Sequence, residues 1–152
     1  MIVRRAGLRS GQDGGRQWLY YSDEGRLTQY GAYVETLQPG EPPSERHWHE
    51  KEDEFLYVLA GELTVLEDEV VATLQPGDAA CWPAGVPVAH TVANRSDAPC
   101  TYLIVGTRVT HDVCHYPASG QMLFTEGEEW RIEGPSGEVL RSGRCKSPPG
   151  RD

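Results

Sequence analysis

His47-Trp48-His49 places two histidines at i and i+2. On a strand, that spacing puts both imidazoles on one face. Glu54 follows at the head of Phe55-Leu56-Tyr57-Val58-Leu59-Ala60, a run that is apolar at every position. The odd offset from His49 requires a turn through Glu50-Lys51-Glu52-Asp53. From Glu54 onward Leu56, Val58 and Ala60 share its face, so the carboxylate is expected to project into an apolar interior. A bare carboxylate is costly there unless a cation compensates it. Two imidazoles and one carboxylate converging in a dry cavity suit a divalent transition metal. The His-x-His pair alone is weak evidence, since two surface histidines on an edge strand give the same pattern.

The elements that must position these groups read as short strands. Trp18 to Tyr21, Tyr30 to Leu37, Phe55 to Ala60, Leu63 to Leu66, Val70 to Leu74, Ala79 to Trp82, His90 to Asn94 and Thr101 to Val109 are β-branched, aromatic or apolar segments of strand length. Gly and Pro turns separate them, with 17 Gly and 11 Pro in the chain. Many short strands between such turns indicate an all-β sandwich or barrel. No stretch carries an amphipathic helix of three turns. Residues 1–15 are polar and Gly-rich and read as an N-terminal arm. Residues 118–152 read as a partly irregular C-terminal extension. Within it, Trp130 to Ile132 and Glu138 to Leu140 could pair as a hairpin around Gly134-Pro135-Ser136-Gly137, and Lys146 to Gly150 is expected to fray.

With the second histidine-bearing segment included, the chain resembles the cupin superfamily. The first cupin motif reads Gly-x5-His-x-His-x(3,4)-Glu-x6-Gly. Gly40, His47, His49, Glu54 and Gly61 fill it, with one extra residue before His47. The second reads Gly-x5-Pro-x-Gly-x2-His-x3-Asn. Gly77, Pro83, Gly85, His90 and Asn94 fill it, with two extra residues before His90. The resemblance spans about residues 16 to 110, and the ending Asp112-Val113-Cys114-His115-Tyr116-Pro117 looks like that of small single-domain bacterial cupins. It implies a double-stranded β-helix, or jelly-roll barrel, over residues 16–117. It also implies one divalent transition metal (iron, manganese, nickel or zinc) held by His47, His49, Glu54 and His90. Four protein ligands leave one or two positions for a water or substrate oxygen. One carboxylate against a dication leaves the centre at about +1, which favours anionic oxygen donors such as carboxylates, enolates and enediolates.

The resemblance implies a metal-dependent enzyme of dioxygenase, isomerase or lyase type acting on a small oxygen-rich molecule. The alternative is a non-catalytic cupin that binds or senses a small ligand. Oxalate-degrading cupins share His-Trp-His but carry Arg three residues before it, where Ser44 stands here. Arg46 should point away from His47, so oxalate decarboxylation is disfavoured.

Other residues carry weaker signals. Trp48 should face away from the imidazoles and pack. Tyr30, Tyr33, Tyr57 and Tyr102 lie on strands and could line the cavity. His111 and His115, with Cys114 between them, read as loop residues, a second metal site being the alternative. Cys81 reads as a buried structural thiol, and Glu50, Glu52 and Asp53 as a solvated turn. No CxxC pair occurs among Cys81, Cys100, Cys114 and Cys145, which are expected to be reduced thiols.

The charge of −9 offers no basic surface for nucleic acid. No apolar run is long enough to span a bilayer. No apolar stretch follows Met1 to Arg5, so a cytoplasmic location is expected. The outward set Phe55, Tyr57 and Leu59 needs covering by the arm, the tail or a second subunit, and a homodimer is expected.

Overall fold

A computed structural model describes residues 1–144. Cys145 and the segment expected to fray, Lys146 to Gly150, lie outside the described residues. In chain order the strands are β1 (Ser10–Asp13), β2 (Arg16–Tyr20), β3 (Tyr30–Leu37), β4 (Trp48–His49), β5 (Glu54–Ala60), β6 (Leu63–Glu67), β7 (Val70–Leu74), β8 (Ala79–Trp82), β9 (His90–Ala93), β10 (Cys100–Thr107), β11 (His111–Tyr116), β12 (Gln121–Glu126), β13 (Glu129–Glu133) and β14 (Val139–Arg144). One short helix, α1 (Tyr21–Glu24), follows β2.

The strands form three sheets. Six line up as β1-β2-β3-β10-β5-β8, three as β7-β6-β9, and five as β14-β13-β12-β11-β4. The order is non-sequential because neighbours such as β3 and β10 come from distant parts of the chain, as a jelly roll requires. The core lies on the inward faces, where Leu37, Leu56, Val58, Leu63, Cys100 and Tyr102 are fully buried. Each such aliphatic side chain contributes roughly 1.5–3 kcal/mol by leaving water.

Alternation along β5 puts Glu54, Leu56 and Val58 inside, as the sequence indicates. Ala60 departs from the pattern and is exposed, beside the register shift between β5 and β10 at Thr101/Tyr102. Gly61 ends the strand at φ 75°, and a Cβ there would sit 2.4 Å from the Pro99 carbonyl oxygen. Only glycine fits that turn.

Within the described residues, the segments before β2 and after β11 are more regular than their composition suggests. The arm contains β1, hairpinned onto β2. The β13–β14 hairpin around Gly134 to Gly137 forms as expected. Beyond it, β11 and β12 pair across residue 117, so residues 111–144 build one antiparallel sheet that closes on β4. His111 and His115 are therefore strand residues, not loop residues. No helix among the described residues is long and apolar enough to cross a membrane.

Candidate metal centre

The three sheets meet where the predicted ligands lie. His49 is on β4, Glu54 opens β5 and His90 opens β9. His47, just before β4, forms an isolated antiparallel bridge with His90, through His47 N to His90 O at 3.1 Å and His90 N to His47 O at 3.0 Å. The Gly85 turn is tied to the same place, its N–H donating to the His49 carbonyl at 2.8 Å.

The side chains converge on one carboxylate oxygen. Glu54 Oε2 lies 2.8 Å from His90 Nε2, 3.6 Å from His47 Nε2 and 4.0 Å from His49 Nε2. Two atoms bound to one ion at about 2.1 Å can be at most about 4.2 Å apart, and all three separations meet that limit. Three of these side chains are no more than 5% exposed, while His47 is 15% exposed. The approach from solvent is therefore on the His47 side, where the Tyr116 ring stands 6.0 Å away.

The far nitrogens fix the tautomers. His47 Nδ1 is 3.2 Å from the Glu45 carbonyl, and His90 Nδ1 is 3.2 Å from the Val88 carbonyl. A carbonyl only accepts, so each of these contacts calls for a proton on Nδ1, and a cation beside Glu54 would then meet the lone pair of each Nε2. His49 Nδ1 faces Asp112 Oδ2 at 2.5 Å. Imidazole and carboxylate lone pairs facing one another repel unless a proton or cation lies between them. This donor set, nitrogen-rich with one hard oxygen, fits a divalent transition metal.

Asp112 was not singled out in the sequence. It is 63 residues from His49 and becomes visible only once β11 is recognised as a strand with Asp112 and Cys114 on its buried face. Burial raises its carboxyl, but the hydrogen bond and charge of His49 and the N–H groups of Lys51 and Val113 outweigh burial and hold it below the usual 3.8. Trp82 was also missed as a site residue. Its ring stacks on His90, and its Nε1 donates to Glu67 Oε1 at 2.7 Å.

Several readings need correcting. Cys81 is exposed rather than buried, because Trp82 takes the inward position on β8 and alternation turns Cys81 out beside Phe55. Tyr30 and Tyr57 point outward, at 47% and 37% exposure, whereas Tyr102 is fully buried in the core. The acidic turn does more than face solvent. Glu50 Oε1 lies 2.9 Å from His115 Nε2, the Val109 N–H donates to Glu52, and the Ala84 N–H donates to Asp53. Trp48 packs as expected, flat against His115 with centroids 4.1 Å apart. Arg46 points away from the centre and donates to the Asp68 carbonyl.

Residues 33–106 match the model of the Cupin_2 family, a cupin domain. The chain is also similar to the crystal structure of a sugar phosphate isomerase of the cupin superfamily from Silicibacter pomeroyi. That match has 31% identity over 93% of this chain and 97% of that one, with a TM-score of 0.83. The chain belongs to the cupin superfamily. This cupin is similar as well to a candidate sugar phosphate isomerase of Acidithiobacillus ferrooxidans, at 28% identity over 82% of this chain and 81% of that one, with a TM-score of 0.72. A predicted oxalate decarboxylase of Thermotoga maritima shares the fold, at 19% identity over 72% of this chain and 100% of that one, with a TM-score of 0.61. A comparison with curated proteins finds no match.

Proposed function

We propose that this cupin is a metal-dependent enzyme acting on a small, oxygen-rich, sugar-like molecule, with isomerisation of a sugar phosphate as the reaction. The observation that carries the reading is the convergence of three Nε2 atoms on Glu54 Oε2 in a chain 31% identical to a sugar phosphate isomerase. A divalent ion at this centre would supply Lewis acidity toward a carbonyl or enediolate oxygen. His47, His49, His90 and Glu54 would hold it, and their burial would exclude water from the reacting carbon. The His47 side would admit the substrate. Ser44, bonded to Thr91 Oγ1 at 2.9 Å, offers no guanidinium for a small dicarboxylate, which argues against oxalate as substrate.

The test is to load the protein with manganese, iron, nickel or zinc in turn and incubate it in deuterated water with aldose and ketose phosphates. Deuterium entering the carbon next to the carbonyl, abolished by chelation, is the expected result. No exchange with any metal and any sugar phosphate sinks the proposal. The depth of the centre favours a second reading, a non-catalytic module that retains a bound ligand. Native mass spectrometry showing a small molecule carried through purification, with no turnover, would favour it.

The proposal includes a homodimer and a cytoplasmic location. The outer face of the six-stranded sheet leaves Phe55, Tyr57 and Leu59 exposed at 38%, 37% and 46%. In register beside Tyr57 run Leu103 and Val34 on one side and Ala79 on the other. A second copy would cover this apolar row. Sedimentation of the wild type and of Tyr57→Glu decides it, a dimer converted to monomer being the expected outcome.

A further inference from the structure

The three histidines solve the same problem in two ways. His47 and His90 each donate Nδ1–H to the carbonyl two residues earlier, Glu45 and Val88. The corresponding carbonyl for His49 is that of His47, and it is already used by the His90 N–H in the bridge that joins the two strands. His49 turns instead to Asp112, from a strand outside the residues that match the cupin family model.

Asp112 is 7% exposed and has donors on both oxygens. Oδ1 accepts from the Lys51 N–H at 2.9 Å, and Oδ2 faces His49 Nδ1 at 2.5 Å. The backbone holds this arrangement: Cys114 pairs with His49 across β11 and β4, and the Glu50 N–H donates to the Val113 carbonyl at 3.1 Å. With Oδ1 fixed by Lys51, Oδ2 is committed to the ring. The opposite tautomer of His49 would set two lone pairs against each other at Asp112 and point an N–H at Glu54.

We propose that Asp112 is a positioning residue that locks His49 in its Nδ1–H form. The sheet of β11 to β14 is thereby a working part of the centre. This rests on the metal-centre reading above. The carboxylate also makes the His49 ring a more basic ligand than a backbone carbonyl would.

The test uses the full chain, metal-free, in wild type and Asp112→Asn. Asparagine offers one acceptor and one donor, so it cannot serve both the Lys51 N–H and the His49 Nδ1–H. Nitrogen-15 NMR reads where the His49 proton sits, and a cobalt(II) titration followed by visible absorbance reads affinity. We expect a proton on Nδ1 in the wild type, a shift toward Nε2–H in the variant, and cobalt(II) binding weaker by roughly 10–100-fold. In Asp112→Ala, added formate should restore cobalt(II) affinity, and it should not do so in His49→Ala. A neutral Nε2–H tautomer in the wild type, or an unchanged tautomer and affinity in Asp112→Asn, overturns the proposal even if the alanine variant fails to fold. A wild type that takes up no cobalt(II) overturns the metal-centre reading, while the tautomer measurement still decides the part played by Asp112.

Discussion

The indole of Trp82 lies flat on the imidazole of His90, with ring centroids 3.9 Å apart and planes 5° from parallel. Trp82 is also the cross-strand neighbour of Glu54, and Glu67, which accepts its N–H, is the cross-strand neighbour of His90. These contacts form a closed loop that fixes the plane in which His90 presents Nε2.

Trp82→Ala opens that loop and leaves a cavity under His90. It should cost about 3–5 kcal/mol of unfolding free energy. Trp82→Phe keeps a flat ring and loses the bond to Glu67, costing about 1 kcal/mol. Urea unfolding of the metal-free proteins measures both. Cobalt(II) titration should rank them in the same order, since a ring that tilts misdirects its Nε2. Equal metal affinity in wild type and Trp82→Ala would show that the stack only packs.

Glu54→Gln tests the carboxylate itself. The amide keeps the shape and removes the charge that a cation would neutralise. Metal affinity should fall by more than the roughly 100-fold that loss of an outer partner can cost. The metal-free variant should unfold at the same or higher temperature than metal-free wild type, because a buried charge has been removed. Elemental analysis of the purified proteins and thermal scans after chelation provide the two readings. A variant that retains metal stoichiometrically would exclude Glu54 as a ligand.

The barrel was legible in the run of short strands between Gly and Pro turns, and the resemblance to the two cupin motifs pointed to the four side chains that converge, His90 included. Period-two alternation sets Glu54 on the inward face of β5, and the motif glycines and prolines fix the turns that return His90 to His47. The positions of Asp112 and Trp82 beside the histidines were not legible. Each depends on a non-local pairing, β11 on β4 and β8 on β5, whose register no short segment reveals. Cys81 was misplaced for a related reason. In a strand of four residues the inward phase is set by the largest side chain available, here Trp82, and not by the alanine at its start. The C-terminal sheet looked irregular because its strands are short and none is fully buried, β12 and β13 being half buried and β14 mostly exposed.

Asn94, the last residue of the second motif, explains itself by bonding and not by chemistry. It is 1% exposed. Its amide donates to the Leu37 carbonyl at 3.0 Å and the Ala98 carbonyl at 2.8 Å, and its Oδ1 accepts from Ser96 N and Oγ. Asn94→Ala takes the side-chain donor from the buried Leu37 carbonyl and the acceptor from the Ser96 turn, and should destabilise the fold by about 1–3 kcal/mol. Cobalt(II) affinity of the folded variant should stay within a few-fold of wild type. A large loss of affinity with little loss of stability would place Asn94 in the site instead.

Glu35 sets an expected pH dependence at the other end of the barrel. It is 4% exposed and pairs with Arg16 at 2.5 Å. Burial raises its carboxyl above the usual 4.5, and the Arg16 guanidinium offsets only part of that effect. The folded chain thus holds this proton more tightly than the unfolded chain. Its stabilising contribution is complete below 4.5, the unfolded value, and is lost as pH rises through the folded value. Glu35→Gln, which has no proton to lose, should remove that decline. The melting temperature of the variant relative to wild type should therefore climb as pH rises from below 4.5 toward neutrality, and then level off. Thermal scans of both proteins across that range measure the difference. A gap that narrows with rising pH would mean that Arg16 outweighs burial and that the pair is a net stabilising ion pair.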